Sequence, residues 1–219
     1  MAFPTTPLID SGAGSDGTLS GWTTSQAMFD GIYRSGAANA GLTRLTNKFK
    51  AAAAAYQLSY RTSEAPGVDC EVFCTVDTKG ADGDELALFA RMGGGLDSTW
   101  AAYSLRWFQN AGNDFGLALQ YVLEGDRFPL AATMTGFTYA AGTKMGLEVI
   151  GNVLKGYLYQ GGSWSQQITF DDTGANVPSA GKMGMEIRNT TARATDFGGG
   201  TVSAVGAAAP TNMMLLGVG

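Results

Sequence analysis

Short apolar or alternating runs, broken about every 10 to 15 residues by Gly, Asp, Asn or Ser, recur along the whole sequence. Runs this short suit strands better than core helices, and the breakers between them are the residues that turns require. The pattern predicts strands at residues 27–33, 42–49, 55–60, 68–76, 85–92, 100–107, 115–122, 128–134, 144–150, 153–159, 163–170, 182–188 and 201–205. Such spacing favours an all-β sandwich or barrel. The sharpest local signal is residues 145–159, where two strand-like runs flank Gly151-Asn152. Glycine at the first central position suits a type II′ turn, whose twist matches the strands it joins. A second hairpin turns at Gln160-Gly161-Gly162-Ser163 and returns through Trp164, while Asp82-Gly83-Asp84 and Gly93-Gly94-Gly95 mark further turns. Hairpins in succession from about residue 68 to 170 read as one antiparallel meander. The run Ala51 to Ala55 is either a tightly packed strand or a short turn of helix, because its helix propensity conflicts with the alternation that follows.

A chain of 219 residues is long enough for one sizeable core and short for two, so residues 1–206 read as one domain. Residues 207–219 differ: they are uncharged and apolar and contain the breaker Pro210. A free segment of that composition would be adhesive, so it is expected to dock, either on its own sandwich or on a neighbouring subunit. Charged residues make up only 15% of the chain, against about 25% in average soluble domains. That neutrality, with 9 Met, 4 Trp, 8 Tyr and 11 Phe, matches the composition of interface cores. A symmetric homo-oligomer is the expected assembly.

The absence of histidine removes whole classes of chemistry. It excludes His-based nucleophile systems and His-ligated metal centres, and leaves no side chain that ordinarily titrates near neutrality. Net charge is −5 and the 14 Lys and Arg residues are scattered, so no nucleic-acid footprint is expected. The two cysteines, Cys70 and Cys74, would lie about 13 Å apart on a strand, too far to pair, and read as small core thiols. No apolar run approaches the ~18 residues of a membrane-spanning helix. Met1 to Pro7 lacks the basic and apolar regions of a signal peptide, so synthesis and retention in a cytoplasm are expected. Asn189-Thr190-Thr191 is then a chance match to a glycosylation site. Gly93–Gly95 and Gly198–Gly200 are not phosphate loops, since no Lys-Ser/Thr follows them, and are expected to be turns or tight backbone approaches.

Several segments together resemble a known family. Cys70-Glu71-Val72-Phe73-Cys74-Thr75-Val76 and Asp82-Gly83-Asp84-Glu85-Leu86-Ala87-Leu88-Phe89-Ala90-Arg91 look like two sheet strands of a concanavalin A-like (laminin G-like) jelly roll. Gly146-Leu147-Glu148-Val149, Lys155-Gly156-Tyr157, Gly161-Gly162-Ser163-Trp164 and residues 181–189 fit the same pattern, as do Leu8-Ile9-Asp10-Ser11 and Gly21-Trp22 as an opening strand. Asp196-Phe197-Gly198-Gly199-Gly200 resembles the closing strand, which the resemblance puts beside the first. The resemblance implies an all-β sandwich of two antiparallel sheets and is silent on function, because this sandwich carries many activities. Versions without His or a leader and rich in Ala and Gly look like bacteriophage virion proteins.

The resemblance also says where chemistry would sit. Retaining glycanases of this fold carry Glu-x-Asp-x-x-Glu on one strand, placing both carboxylates on one sheet face. Glu124-Gly125-Asp126 begins that pattern, but Pro129 occupies the last position, so the segment reads as a charged turn. Calcium, which lectins of this fold often hold through Asp and Asn oxygens, would draw on Asp82/Asp84, Asp171/Asp172 or Asp10/Asp196, but Asp82-Gly83-Asp84 and Asp171-Asp172-Thr173-Gly174 read as ordinary turn chemistry. A sugar platform would draw on Trp22, Trp100, Trp107, Trp164, Tyr33, Tyr103, Tyr157 or Tyr159. Tyr157, Tyr159 and Trp164 equally suit a cross-strand aromatic ladder. No catalytic residue, metal ligand or ligand-binding residue is assigned. The expected function is that of a non-enzymatic bacteriophage virion structural protein binding the major capsid protein from the particle exterior. The alternatives are a glycan-binding module associated with tail proteins and, more remotely, a glycoside hydrolase.

Overall fold

The computed structural model describes residues 3–24, 39–54, 56–80, 83–93, 100–110, 114–131, 134–140, 142–174 and 177–203. The strand expected at 27–33, Tyr33, Asp82, Gly94, Gly95 and the apolar stretch 207–219 lie outside them. Sheet A contains β1 (Leu8–Asp10), β2 (Gly17–Thr18), β4 (Leu42–Leu45), β5 (Lys48–Ala51), β7 (Cys70–Thr78), β13 (Lys144–Ile150), β14 (Val153–Gln160), β15 (Ser163–Asp171) and β17 (Arg193–Thr201). Sheet B contains β3 (Trp22–Thr23), β6 (Tyr56–Arg61), β8 (Glu85–Gly93), β9 (Ala101–Asn110), β10 (Asp114–Leu123), β11 (Asp126–Pro129), β12 (Met134–Phe137) and β16 (Lys182–Arg188). The order in sheet A is β15-β14-β13-β7-β17-β5-β4-β2, with β1 also on β17; in sheet B it is β11-β10-β9-β8-β16-β6-β3, with β12 also on β10. Every described pair is antiparallel.

The two sheets enclose one core because strand side chains alternate. Val72, Cys74, Met145, Leu147, Leu154, Leu158 and Phe197 of sheet A meet Leu86, Leu88, Leu105, Trp107, Leu117, Leu119, Met185 and Ile187 of sheet B. The central strands are buried on their outward side too, so β7 and β8 read as nearly continuous apolar runs. Over sheet B, Leu58, Ala87, Phe89, Met92, Trp100, Ala102 and Val122 form a second apolar cluster. Over sheet A lies the N-terminal segment. Phe3 stacks on Tyr157 at 4.3 Å and meets Trp164 edge-on at 4.8 Å. Glu71 accepts the backbone N–H groups of Thr5 and Thr6 at 2.5 and 2.6 Å. Gly146 makes room for this segment, since a Cβ there would lie 2.2 Å from the Phe3 ring.

Four expectations need correction. Residues 42–49 are not one strand but the hairpin β4–β5, turning at Thr46 and Asn47 with φ of 50° and 60°. That is primed-turn geometry without glycine, which hides it from a search for glycine turns. Residues 128–134 span parts of two strands, β11 ending at Pro129, which cannot donate to a ladder. Of the strand expected at 201–205, residues 202 and 203 are not strand and the rest beyond them lies outside the described residues, among which the last strand is Arg193–Thr201. Its glycines are close approaches inside a strand: a Cβ on Gly198 would sit 2.2 Å from the Phe73 ring, and one on Gly199 2.5 Å from the Glu71 carbonyl. The meander from 68 to 170 is two meanders in different sheets. β7 pairs with β13 and β17, whereas β8, β9 and β10 pair in sheet B. Turn residues report that the chain reverses, not which sheet it re-enters.

Other details follow the sequence. The opening and closing strands are adjacent, with Leu8 opposite Gly198. Gly151, but not Asn152, has positive φ, at 55°, as a type II′ turn requires. Ala51 closes β5 and residues 52–54 bend, so the alanine run is helix nowhere in that stretch. No helix among the described residues is long and apolar enough to cross a membrane. Cys70 and Cys74 are buried and free. Burial pushes the Cys70 thiol up to about 11 and raises Cys74 as well. A thiol reagent at pH 8 should therefore label neither cysteine until the protein is unfolded. Rapid labelling of both in the native state would contradict this packing.

Candidate functional site

Alternation turns Glu85 and Ala87 of β8, Arg106 and Phe108 of β9, Gly116, Ala118 and Gln120 of β10, and Glu186 and Arg188 of β16 away from the core. Register then aligns them. Tyr56, Arg188, Glu85, Phe108 and Gly116 form one row across β6, β16, β8, β9 and β10; Leu58, Glu186, Ala87, Arg106 and Ala118 form the next. Arg127 reaches into these rows from β11 and ion-pairs with Glu186. Four inter-strand steps at ~4.8 Å would hold β11 and β16 about 19 Å apart in a flat sheet, beyond the joint reach of the two side chains. The sheet must therefore curl, and this face is concave.

Glu85 is the centre of the concave site. It is 4% exposed and accepts Arg106 Nε at 2.6 Å, Arg188 Nη1 at 3.0 Å and the Tyr56 hydroxyl at 3.1 Å. Arg106 Nη2 bonds it as well, and Arg127 Nη1 lies 3.5 Å from its Oε2. Burial alone would raise this carboxyl, but the hydrogen bond and charge of Arg106, with Arg127 and Arg188, outweigh it and hold Glu85 below its ordinary range. Arg127 spans both acids, bonding Glu186 through Nη2 and Gln120 Oε1 through Nη1 at 3.4 Å. Aromatic rings fix the guanidinium planes: Arg188 and Arg127 lie 4.9 and 5.4 Å from the Tyr56 ring, and Arg106 lies 4.9 Å from the Phe108 ring. Phe108 rests in turn on Gly116, where a Cβ would lie 2.2 Å from the ring. Burial, reinforced by the Glu85 charge, raises the Tyr56 phenol and keeps it protonated.

Above these groups opens a cleft of about 500 Å³, lined by Tyr56, Arg106, Gln120, Arg127, Pro129 and Arg188. That volume suits a small ligand or one to a few sugar units. The cleft offers fixed N–H donors and an aromatic edge. Glu85 is a carboxylate neutralised by guanidinium groups, which equips it to position them; a glycosidase acid requires a carboxyl with a raised pKa.

The expected site residues fall elsewhere. Glu124, exposed with φ 54°, and Gly125 form the β10–β11 turn, as the charged-turn reading has it, while Asp126 begins β11 and Pro129 ends it and lines the cleft. Asp10 is taken by Trp22 Nε1 at 2.9 Å, the Gly12 N–H at 2.9 Å, and Arg44 and Arg61 at 3.6 and 3.7 Å. Asp196 accepts Thr75, Asp172 accepts Tyr103 and the Gly174 N–H, and Asp84 accepts Asn189. These four carboxylates are thus turned to protein donors, Asp171 is exposed at the end of β15, and no cluster of three or more metal-ligating side chains occurs among the described residues. Trp100, Trp107 and Tyr103 are core residues, and Trp22 packs on Phe49 and Phe197. Tyr159 and Trp164 do face each other across β14 and β15, at 5.5 Å, but on sheet A with Phe3 against Trp164. None of these aromatics lines the cleft. The sequence reading missed Tyr56, Glu85, Arg106, Gln120, Arg127, Glu186 and Arg188. The available signal was a charge at the outward position of otherwise apolar strands, at Glu85, Arg106 and Glu186.

No family model and no curated protein matches the sequence. Solved structures do match in fold. A carbohydrate-binding module, CBM66, from Bacillus subtilis superposes with a TM-score of 0.55 at 18% identity, covering 81% of this chain and 91% of that one. The exoplasmic/lumenal domain of VIP36, solved with calcium and Man3GlcNAc, gives 0.53 at 11% identity over 75% and 82% of the two chains. A Bacillus licheniformis β-glucanase gives 0.55 at 10% identity over 91% and 100%. At such identities the likeness speaks for fold alone, and the fold of this chain is the concanavalin A-like jelly-roll β-sandwich.

Proposed function

We propose that the protein is a non-enzymatic carbohydrate-binding module that takes a glycan into the concave cleft of sheet B. The observation that carries this reading is the cleft itself: about 500 Å³ of open space on the concave face, bordered by Tyr56 and by arginines whose planes are held in place before any ligand arrives. Pre-set donors lose little freedom on binding, which matters for a ligand as polar and hydrated as a sugar. The fold lends precedent, since a carbohydrate-binding module and a mannoside-bound domain share it.

A titration series over neutral and acidic oligosaccharides tests the reading. Saturable binding is expected, and Tyr56→Ala should weaken it about tenfold by removing the ring under Arg127 and Arg188, ~1.4 kcal/mol. No saturable binding to any oligosaccharide would overturn it. In a bacteriophage particle, the setting the sequence resemblance suggests, such a module would read host-surface glycans from a tail. Quantifying the chain in purified particles tests that setting: tens of copies fit a tail module, hundreds fit capsid decoration, and none removes the virion setting.

A further inference from the structure

We infer that the cleft selects an anionic glycan, one whose carboxylate or sulfate group meets the outer edges of Arg188 and Arg106. This rests on the carbohydrate-binding reading and narrows it to a substrate class.

Charge is layered from the floor of the cleft to its rim. Glu85 and Glu186 lie at the floor, 4% and 1% exposed, while Arg106 and Arg188 stand above them with side chains 27% and 37% exposed. Three guanidinium groups face two carboxylates, a formal surplus of one positive charge in a chain whose net charge is −5. A ligand entering the cleft meets cations first, and a concave low-dielectric wall concentrates their field.

Hydrogen-bond capacity favours the same class of ligand. Both oxygens of Glu85 are already engaged by Tyr56 and the arginines. Among the described residues, Arg188 donates only through Nη1 and Arg106 only through Nε and Nη2. Glu186, 1% exposed, is shut off from a ligand, so the spare capacity at the exposed rim is in donors: Nε and Nη2 of Arg188 and Nη1 of Arg106. A neutral sugar hydroxyl offers a single uncharged oxygen, but a carboxylate or sulfate offers two that match the paired N–H groups of a guanidinium edge and neutralises the surplus charge. Stacking on Tyr56 and Phe108 holds those edges in place.

The test is calorimetric titration of the full chain with matched pairs: oligogalacturonate against its methyl ester, oligomannuronate against mannan oligosaccharide, and chondroitin sulfate oligosaccharide against desulfated chondroitin. At least one charged member should bind tenfold or more tightly than its partner, and the pair that does so identifies carboxylate or sulfate as the group read. Arg188→Gln should erase the difference, and Arg188→Lys, which keeps charge but not the planar edge, should recover part of it. Near-ultraviolet circular dichroism of both variants checks that the fold is kept. Equal binding within every pair, or wild-type preference in a folded Arg188→Gln, overturns the anionic inference while leaving carbohydrate binding standing. Failure of every oligosaccharide, charged or neutral, overturns both.

Discussion

Replacing Arg91 with Met should destabilise the protein by about 3–5 kcal/mol, a fall in Tm of roughly 6–20 °C for a chain of this size. Arg91 sits in the β8 bulge between Ala90 and Gly93, with φ of 52° and 2% exposure. The bulge turns its side chain to the loops at one end of the sandwich. There the guanidinium donates to the carbonyls of Val68 at 2.5 Å, Gly151 at 2.6 Å and Pro178 at 3.4 Å, and lies 5.8 Å from the Tyr103 ring. Those carbonyls belong to the entry to β7, the β13–β14 turn and the segment before β16, so one side chain ties both sheets together. Methionine replaces the apolar stem but donates nothing, so three bonds from a charged donor, at about 1.5–3 kcal/mol each, are lost; water can reach the carbonyls of the exposed Val68 and Gly151, which tempers the sum, but the bond to Pro178 is fully buried. Lysine should recover only part of the loss, because a point ammonium cannot bond three divergent carbonyls. A melting temperature within two degrees of wild type would show that water replaces the guanidinium without penalty.

Glu85→Gln should be the second most damaging change, costing about 2–4 kcal/mol and abolishing glycan binding. It removes the charge that holds Arg106, Arg127 and Arg188 together and leaves three guanidinium groups with Glu186 as their one carboxylate among the residues of the site. All three are partly solvated, which tempers the cost. The pH dependence has a definite sign. The folded carboxyl of Glu85 titrates below its ordinary value of 4.5, so its contribution is fully present above that value and lost as pH falls through the folded one. The gap in Tm between wild type and Glu85→Gln should therefore be constant from pH 7 to about 5 and narrow on further acidification. A gap that persists unchanged to pH 3 would mean that the stabilisation does not come from the ionised carboxylate.

What the sequence determined by itself was local. Alternation placed β13 and β16 to the residue and most of β8, β9, β10, β14 and β15 to within a few residues. Glycine chemistry located the turns at Gly151-Asn152 and Gly161-Gly162, where positive φ is required. These features depend on a residue and its immediate neighbours, so they are written in short windows. The Thr46-Asn47 turn was misread because local propensity there yields to packing, and the start of the closing strand at Arg193 was not seen. Asn47 takes the left-handed conformation without glycine, and Gly198 is glycine because the Phe73 ring lies on it. The assignment of β7 and β8 to different sheets, and the whole of the candidate site, came only from the tertiary structure. Partners around Glu85 and Glu186 lie 21 to 103 residues apart in the chain. They meet because strand register aligns them and sheet curvature closes the distance from β11 to β16. Register and curvature are properties of paired strands acting together, and no single strand's sequence carries them.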